Sequence, residues 1–234
     1  LVDLRVVLVG VEGPVNLGVI ARTCVNFGVK ELYLVNPVAS LEEAVRYSAR
    51  GRELLLNAVI VDNLDKALKD VDVSVATSAI GFSDGDTIRQ AISIEDFVEK
   101  VVVKARKLAL VFGRESTGLT REELMKTDFL VTIPANPDYP VLNLSQSVAI
   151  FLWEIWKRTG LKPSNIPSRA TRGDIEKILS ILDTITSQIV SSEDKIKRCN
   201  IVLRRIIYRS LPSVYEAKVL LYWARRVERK IMMK

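Results

Sequence analysis

The chain contains no histidine. That absence removes the commonest metal ligand and the commonest general base at neutral pH. Ser-His-Asp hydrolysis, Cys-His proteolysis and ordinary zinc catalysis are therefore excluded. Cysteine is nearly as scarce: Cys24 and Cys199 lie far apart, both in helical patterns where cysteine behaves as a small buried hydrophobe, and no disulfide is expected. No apolar run approaches the length of a membrane span; the longest suspect, "VAIFLW" (148–153), is ended by Glu154. Nor does the N-terminal stretch show a basic region, an apolar segment and a cleavage site in that order. These absences point to a soluble, cytoplasmic protein with no membrane partner. A dinucleotide fingerprint is missing too, because Gly10, Gly13 and Gly18 do not space as G-x-G-x-x-G.

What is present is a chain of 234 residues, 48% apolar, long enough for one good-sized domain and a small appendage. The net charge of +6 hides an asymmetry: residues 1–167 hold 19 Lys/Arg against 21 Asp/Glu, whereas 168–234 hold 15 against 7. A net +8 tail behind a slightly acidic domain favours a polyanionic partner over a merely solvated helical face.

Apolar runs predict strands near 4–10, 31–36, 58–61, 72–77, 108–113 and 128–133. Helical periodicity fills the gaps at about 16–28, 41–56, 62–69, 93–105 and 121–127. In the first helix Leu17, Ile20, Ala21, Cys24 and Val25 form one buried face, and Gly28 stands where a left-handed cap belongs. Ser40 with Glu43 and Thr120 with Glu123 have capping-box spacing. Repeated strand–helix alternation predicts an α/β fold, with a mostly parallel sheet covered by helices on both faces. Residues 143–158 are apolar almost all round, so that helix needs cover from a core or from a second subunit. "TGLKPSNIPS" (159–168) reads as a linker. A small all-helical extension follows, with helices near 171–190, 194–210 and 214–232, the last opened by Pro212, Ser213 and Glu216. The expected division is 1–158, a linker at 159–170, and a basic extension at 171–234.

Three loops follow strands: "VGVEGPVNLG" (9–18), "VFGRESTGLT" (111–120) and "IPANPDYPVLNLSQS" (133–147). Loops at the carboxyl ends of strands converge on the ligand site of an open α/β sheet. Prolines 134, 137 and 140 stiffen the third, which is long for an ordinary connection. Together they resemble the three motifs of the SPOUT methyltransferases, and among these the TrmJ-type tRNA ribose 2′-O-methyltransferases. Asn16, Gly18, Ala21 and Arg22 match the first motif. Phe112, Gly113, Glu115, Gly118 and Leu119 match the second, and Ile133, Pro134, Asn136, Leu142, Asn143 and Leu144 the third. The resemblance is close over about 4–158 and extends to "RRIIYRSLPSVYEAKVL" (204–220).

The resemblance implies a trefoil knot late in the α/β domain, S-adenosylmethionine as cofactor and a homodimer. It also implies 2′-O-methylation of tRNA, at nucleotide 32 of the anticodon loop with cytidine favoured. It assigns the cofactor to loops including Thr77, Ser78, Ala79, Gly113, Glu115, Ile133, Val141 and Leu142. Catalysis falls to Asn16, Arg22, Glu115 and Asn143, with Arg22 reaching the neighbouring subunit's site. Val141 departs from the pattern, standing where relatives usually carry serine; Ser145, Tyr139, backbone or water must then do that serine's work. Guanidinium stays protonated, so Arg22 reads as a fixed cation rather than a base. Taken singly, Asn16 and Asn143 also read as helix N-caps, Arg22 as a salt-bridge partner and Glu115 as a solvated acid. Arg204, Arg205 and Arg209 on one tail helix, and Arg225, Arg226 and Arg229 on the next, are the expected RNA contacts. Alternatives are another tRNA position or ribosomal RNA and, more distantly, a nicotinamide-dependent oxidoreductase or a non-catalytic RNA-binding protein.

Overall fold

The computed structural model describes residues 2–158 and 166–233. The first seven residues of the expected linker, 159–165, lie outside the described residues. The chain divides into two compact units, 1–161 and 162–234.

The first unit is a seven-stranded, wholly parallel sheet in the order β3-β2-β1-β6-β4-β7-β5. Its strands are β1 (Asp3–Val9), β2 (Glu31–Val35), β3 (Val59–Val61), β4 (Val73–Thr77), β5 (Ile92–Ser93), β6 (Lys107–Phe112) and β7 (Phe129–Thr132). The central strands are buried on both faces, as their unbroken apolar runs require: Val6, Val7, Leu8 and Val9 of β1 and Leu108 to Phe112 of β6 are all within the core. Helices α1 (Pro14–Asn26), α2 (Leu41–Val45), α3 (Arg52–Leu56), α4 (Leu64–Ala67), α5 (Ile94–Lys100), α6 (Arg121–Met125) and α7 (Leu144–Lys157) connect and follow the strands.

Several expectations are corrected. The helix read at 41–56 is broken: a 3₁₀ turn at 49–51 separates α2 from α3, with Ala49 left-handed (φ 45°). The helix read at 93–105 ends at Lys100 and continues as another 3₁₀ turn, and the two-residue strand β5 has no counterpart in the expected list. Cys24 is buried, and that burial pushes its thiol up to about 12; Cys199, however, is exposed. Helix α7 buries Leu144, Val148, Phe151, Leu152 and Ile155 against the sheet and α1, while Trp153 on its other side stays half exposed.

The second unit consists of α8 (Arg172–Ile189), α9 (Glu193–Ser210) and α10 (Val214–Met232) around their own core of Ile175, Ile178, Leu182, Ile185, Ile207, Ala217 and Ala224. Complete capping boxes open α8 (Thr171, Asp174) and α10 (Ser213, Glu216). Among the described residues no helix is long and apolar enough to cross a membrane.

Candidate active site

The strands β1, β6, β4 and β7 lie side by side, although the chain leaves β1 for β2 and β3 before reaching the others. Reversal of strand order opens a crevice at the carboxyl edge of such a sheet. Here the crevice is a cavity of about 560 Å³, within the roughly 300–1,000 Å³ of small-molecule sites. Thr77, Ser78, Ala79, Gly113, Glu115, Ile133, Val141 and Leu142 all line it, joined by Asn16 and Asn143. Arg89, Phe112, Leu119, Tyr139, Ser147 and Phe151 also line it and were not singled out as cofactor residues. Arg89 comes from the loop between β4 and β5, to which the family resemblance assigns no site residue beyond Ser78 and Ala79.

The loop after β6 turns back on itself, with Arg114 and Gly118 exchanging backbone hydrogen bonds of 3.3 and 2.9 Å. A Cβ on Gly113 would sit 2.2 Å from the Gly118 carbonyl carbon, so only glycine permits this fold-back. Arg114 then grips Glu123 through two 3.0 Å bonds.

Polar contacts tie this loop to the first. Helix α1 begins at a glycine N-cap, Gly13, which has no side chain to satisfy the exposed N–H groups. Glu115 fills that role from another part of the chain. Its carboxylate accepts from the N–H groups of Glu12 (2.8 Å) and Gly13 (3.0 Å) and from Asn16 Nδ2 (3.0 Å). In return Glu12 accepts from the N–H and hydroxyl of Ser116 at 3.1 and 2.6 Å. Burial pushes the Glu115 carboxyl upward, but these donors outweigh it and hold the group below the usual carboxylate range.

The same contacts fix the orientation of both asparagines. A carboxylate only accepts, so Asn16 must turn its NH₂ to Glu115 and its oxygen outward. That oxygen accepts from Asn143 Nδ2 at 3.1 Å, which leaves Asn143 Oδ1 to accept from the Ser145 N–H (2.9 Å) and hydroxyl (2.7 Å). A polarised chain of Ser145, Asn143, Asn16 and Glu115 thus joins all three loops. Asn143 is both the N-cap of α7 and a link in this chain. Asn16 is not a cap at all: it sits in the first turn of α1. Ser145, one of the groups considered in place of the usual serine at Val141, belongs to the chain, whereas Tyr139 lies exposed on the cavity rim.

Arg22 is not brought to the cavity. It lies exposed on α1 without a hydrogen bond or ion pair among the described residues. In the second unit Arg204 is held by Glu176 (2.7 and 3.2 Å), beside a hollow of about 340 Å³ between α8 and α9. Arg209 donates to the Arg205 carbonyl and Arg226 to the Tyr222 hydroxyl, while Arg205, Arg225 and Arg229 stand exposed.

A parallel sheet with a three-loop cavity at its strand-order reversal is the ligand-binding arrangement of an open α/β fold, and the chain belongs to the SpoU rRNA Methylase family, matching over residues 3–153. It is 38% identical to the tRNA (cytidine-2′-O-)-methyltransferase TrmJ of Sulfolobus acidocaldarius, covering 99% of this chain and 94% of that protein. It is 33% identical to the protein of the same name from Methanocaldococcus jannaschii, over 94% and 98% of the two chains. A solved structure of a probable methylase family protein from Haemophilus influenzae superposes with a TM-score of 0.61 at 28% identity, covering 99% of this chain and 98% of that one.

Proposed function

We propose that the protein methylates the 2′-hydroxyl of ribose in tRNA with S-adenosylmethionine, at nucleotide 32 of the anticodon loop and with cytidine preferred. The observation that carries this reading is the single cavity lined by Asn16 and by the loops after β4, β6 and β7, in a chain of the SpoU family. The cytidine-named relatives support the base preference, and a single-stranded anticodon loop presents its ribose without duplex opening. The work belongs in the cytoplasm, with tRNA.

The cavity suits the cofactor in size and in kind. It offers apolar walls at Phe112, Leu119, Ile133 and Leu142, and small or glycine residues that leave main chain accessible at Ser78, Ala79 and Gly113. Thr77, Ser78, Ala79, Gly113, Glu115, Ile133, Val141 and Leu142 would hold it. S-adenosylmethionine supplies a methyl group on a sulfonium, which requires the ribose oxygen to be held in line. The Ser145–Asn143–Asn16–Glu115 chain fixes the polar rim on which that oxygen is positioned. Glu115, with its depressed pKa and committed oxygens, is a positioning carboxylate rather than the proton acceptor. Arg22 is the fixed cation for the adjacent phosphate and the developing alkoxide. Its distance from its own cavity favours a homodimer in which each Arg22 serves the other copy. The half-exposed Val15, Val25 and Trp153 on α1 and α7 supply apolar surface for that pairing. We also assign to residues 111–144 the knot of the family, and to the 171–234 extension the capture of tRNA.

Incubating tRNA with the protein and labelled S-adenosylmethionine, then mapping ribose methylation, tests the reading. Label at ribose 32 is expected. Label elsewhere in tRNA or only in ribosomal RNA contradicts the position, and dinucleotide binding without methyl transfer contradicts the reaction.

A further inference from the structure

Helix α10 has two faces of different character. Ala217, Leu220, Leu221, Ala224 and Ile231 turn into the core of the second unit. On the opposite side Tyr215, Val219, Tyr222 and Trp223 recur at helical spacing, and they are 76, 49, 61 and 53% exposed. Three exposed aromatics on one helix are costly to leave in water without a use.

The surrounding charges identify the occupant. Lys218, Arg225, Arg226, Arg229 and Lys230 are all exposed along this helix. Neither of its two acids competes with them on that side: Glu216 is bound to the Ser213 N–H in the capping box, and Glu228 is partly buried. The Arg226 guanidinium already lies 5.5 Å over the Tyr222 ring and donates to its hydroxyl at 3.2 Å, a cation held against a π-face. Exposed tyrosine and tryptophan alone would also serve a protein partner; the five exposed Lys/Arg with no free acid beside them favour a polyanion instead. That combination matches unpaired nucleotides, whose bases stack on rings while their phosphates take the charges.

We propose that the exposed face of α10 is a stacking platform for unpaired nucleotides of the RNA, with Tyr215, Tyr222 and Trp223 taking bases and Arg226, Arg229 and Lys230 taking phosphates. Tyr215 and Tyr222 stand about 10 Å apart along the axis, enough to engage different nucleotides. The proposal rests on the reading that the partner is RNA and adds the mode of recognition.

The test compares the full chain with Trp223→Phe, Trp223→Leu, Tyr222→Leu and Arg226→Gln. Each is titrated against a short single-stranded oligoribonucleotide and against a duplex RNA over a salt series, with circular dichroism confirming the fold. Trp223→Leu and Tyr222→Leu should each weaken single-strand binding about 5- to 100-fold without changing the salt slope, while Trp223→Phe, which keeps a ring, stays close to the parent. Arg226→Gln should instead lower the slope by about 0.7. Duplex affinity should not respond to the leucine variants. Unchanged single-strand affinity in both leucine variants would overturn the platform, as would a loss of self-association in those variants with RNA affinity intact, which would make the face a contact between copies. If the parent binds neither RNA, the tRNA reading itself fails and the platform with it.

Discussion

Glu115 carries the clearest consequence at the scale of single residues, because one carboxylate holds three donors and its removal leaves only the Glu12–Ser116 bonds to tie the two loops. Glu115→Gln keeps the shape but replaces one accepting oxygen with an NH₂, which then faces a donor. The expected cost is about 1–2 kcal/mol of stability, the lower part of the range for hydrogen bonds to a charged group at a partly solvated site. Turnover should fall by more than S-adenosylhomocysteine affinity, which seven other lining residues also support, and calorimetry with initial rates would separate the two. Unchanged turnover would remove Glu115 from the site's machinery. The same group enters the pH dependence of folding together with Glu31 and Glu123. Burial pushes all three carboxyls upward, yet Lys107 and Arg5 at Glu31, Asn16 and the Glu12 and Gly13 N–H groups at Glu115, and Arg114 and Thr120 at Glu123 outweigh it and lower each below its ordinary 4.5. The unfolded chain therefore takes up these protons at higher pH than the native one. Stability is complete above pH 4.5 and drains as pH falls through the native values. Thermal melts should show this acid fall, and it should be shallower in Glu115→Gln.

Among the elements, α1 is held by the turn it rests on. A Cβ on Gly51 would lie 2.4 Å from the backbone of Ala21 and Arg22. Gly51→Ala must therefore displace the helix that carries Asn16 and Arg22, an overpacking cost of about 1–3 kcal/mol or more. Gly85→Ala is the control: its φ of +71° strains an alanine, but nothing lies within 4 Å. The melting temperature of Gly51→Ala should fall further, by roughly 2–4 °C per kcal/mol of difference, and only that variant should lose activity. Equal melting would mean the contact is slack. This contact also shows what the sequence could reveal. The apolar stripe of α1, except for Val25, which the structure leaves 41% exposed, its Gly28 cap and the capping boxes at Thr120 and Ser213 are local patterns that appear in the structure. The break at 49–51 arises because Gly51 must meet α1, a demand from a distant element that helical periodicity does not carry. The two-residue β5 is too short for any period, and its Ser93 is also the N-cap of α5. For the site, the family resemblance names residues that line the cavity, but the glycine cap filled by Glu115, 102 positions away, is visible only in three dimensions.

At the level of the whole molecule, Arg22 poses the remaining question. Asn16 and Arg22 share one helix, six residues or about 9 Å of rise apart, yet only Asn16 lines the cavity. If two copies pair through α1 and α7, each cavity draws Asn16 from one chain and Arg22 from the other, and a two-fold operator makes both sites alike. Arg22→Ala alone should lower turnover by about 10²–10³, the scale of one lost transition-state contact, with cofactor affinity unchanged. Asn16→Ala should be defective through the other half of the site. Refolding the two variants together decides the arrangement. In a mixed dimer one site combines intact Asn16 with intact Arg22, and the other carries both losses. Random pairing makes about half of the dimers mixed, so the mixture should recover about a quarter of the parent's activity although each variant alone is nearly inactive. If both residues acted within one chain, every site in every dimer would retain one defect. Activity would then stay at the level of the separate variants, and Arg22 would have to reach its own cavity by a rearrangement of α1.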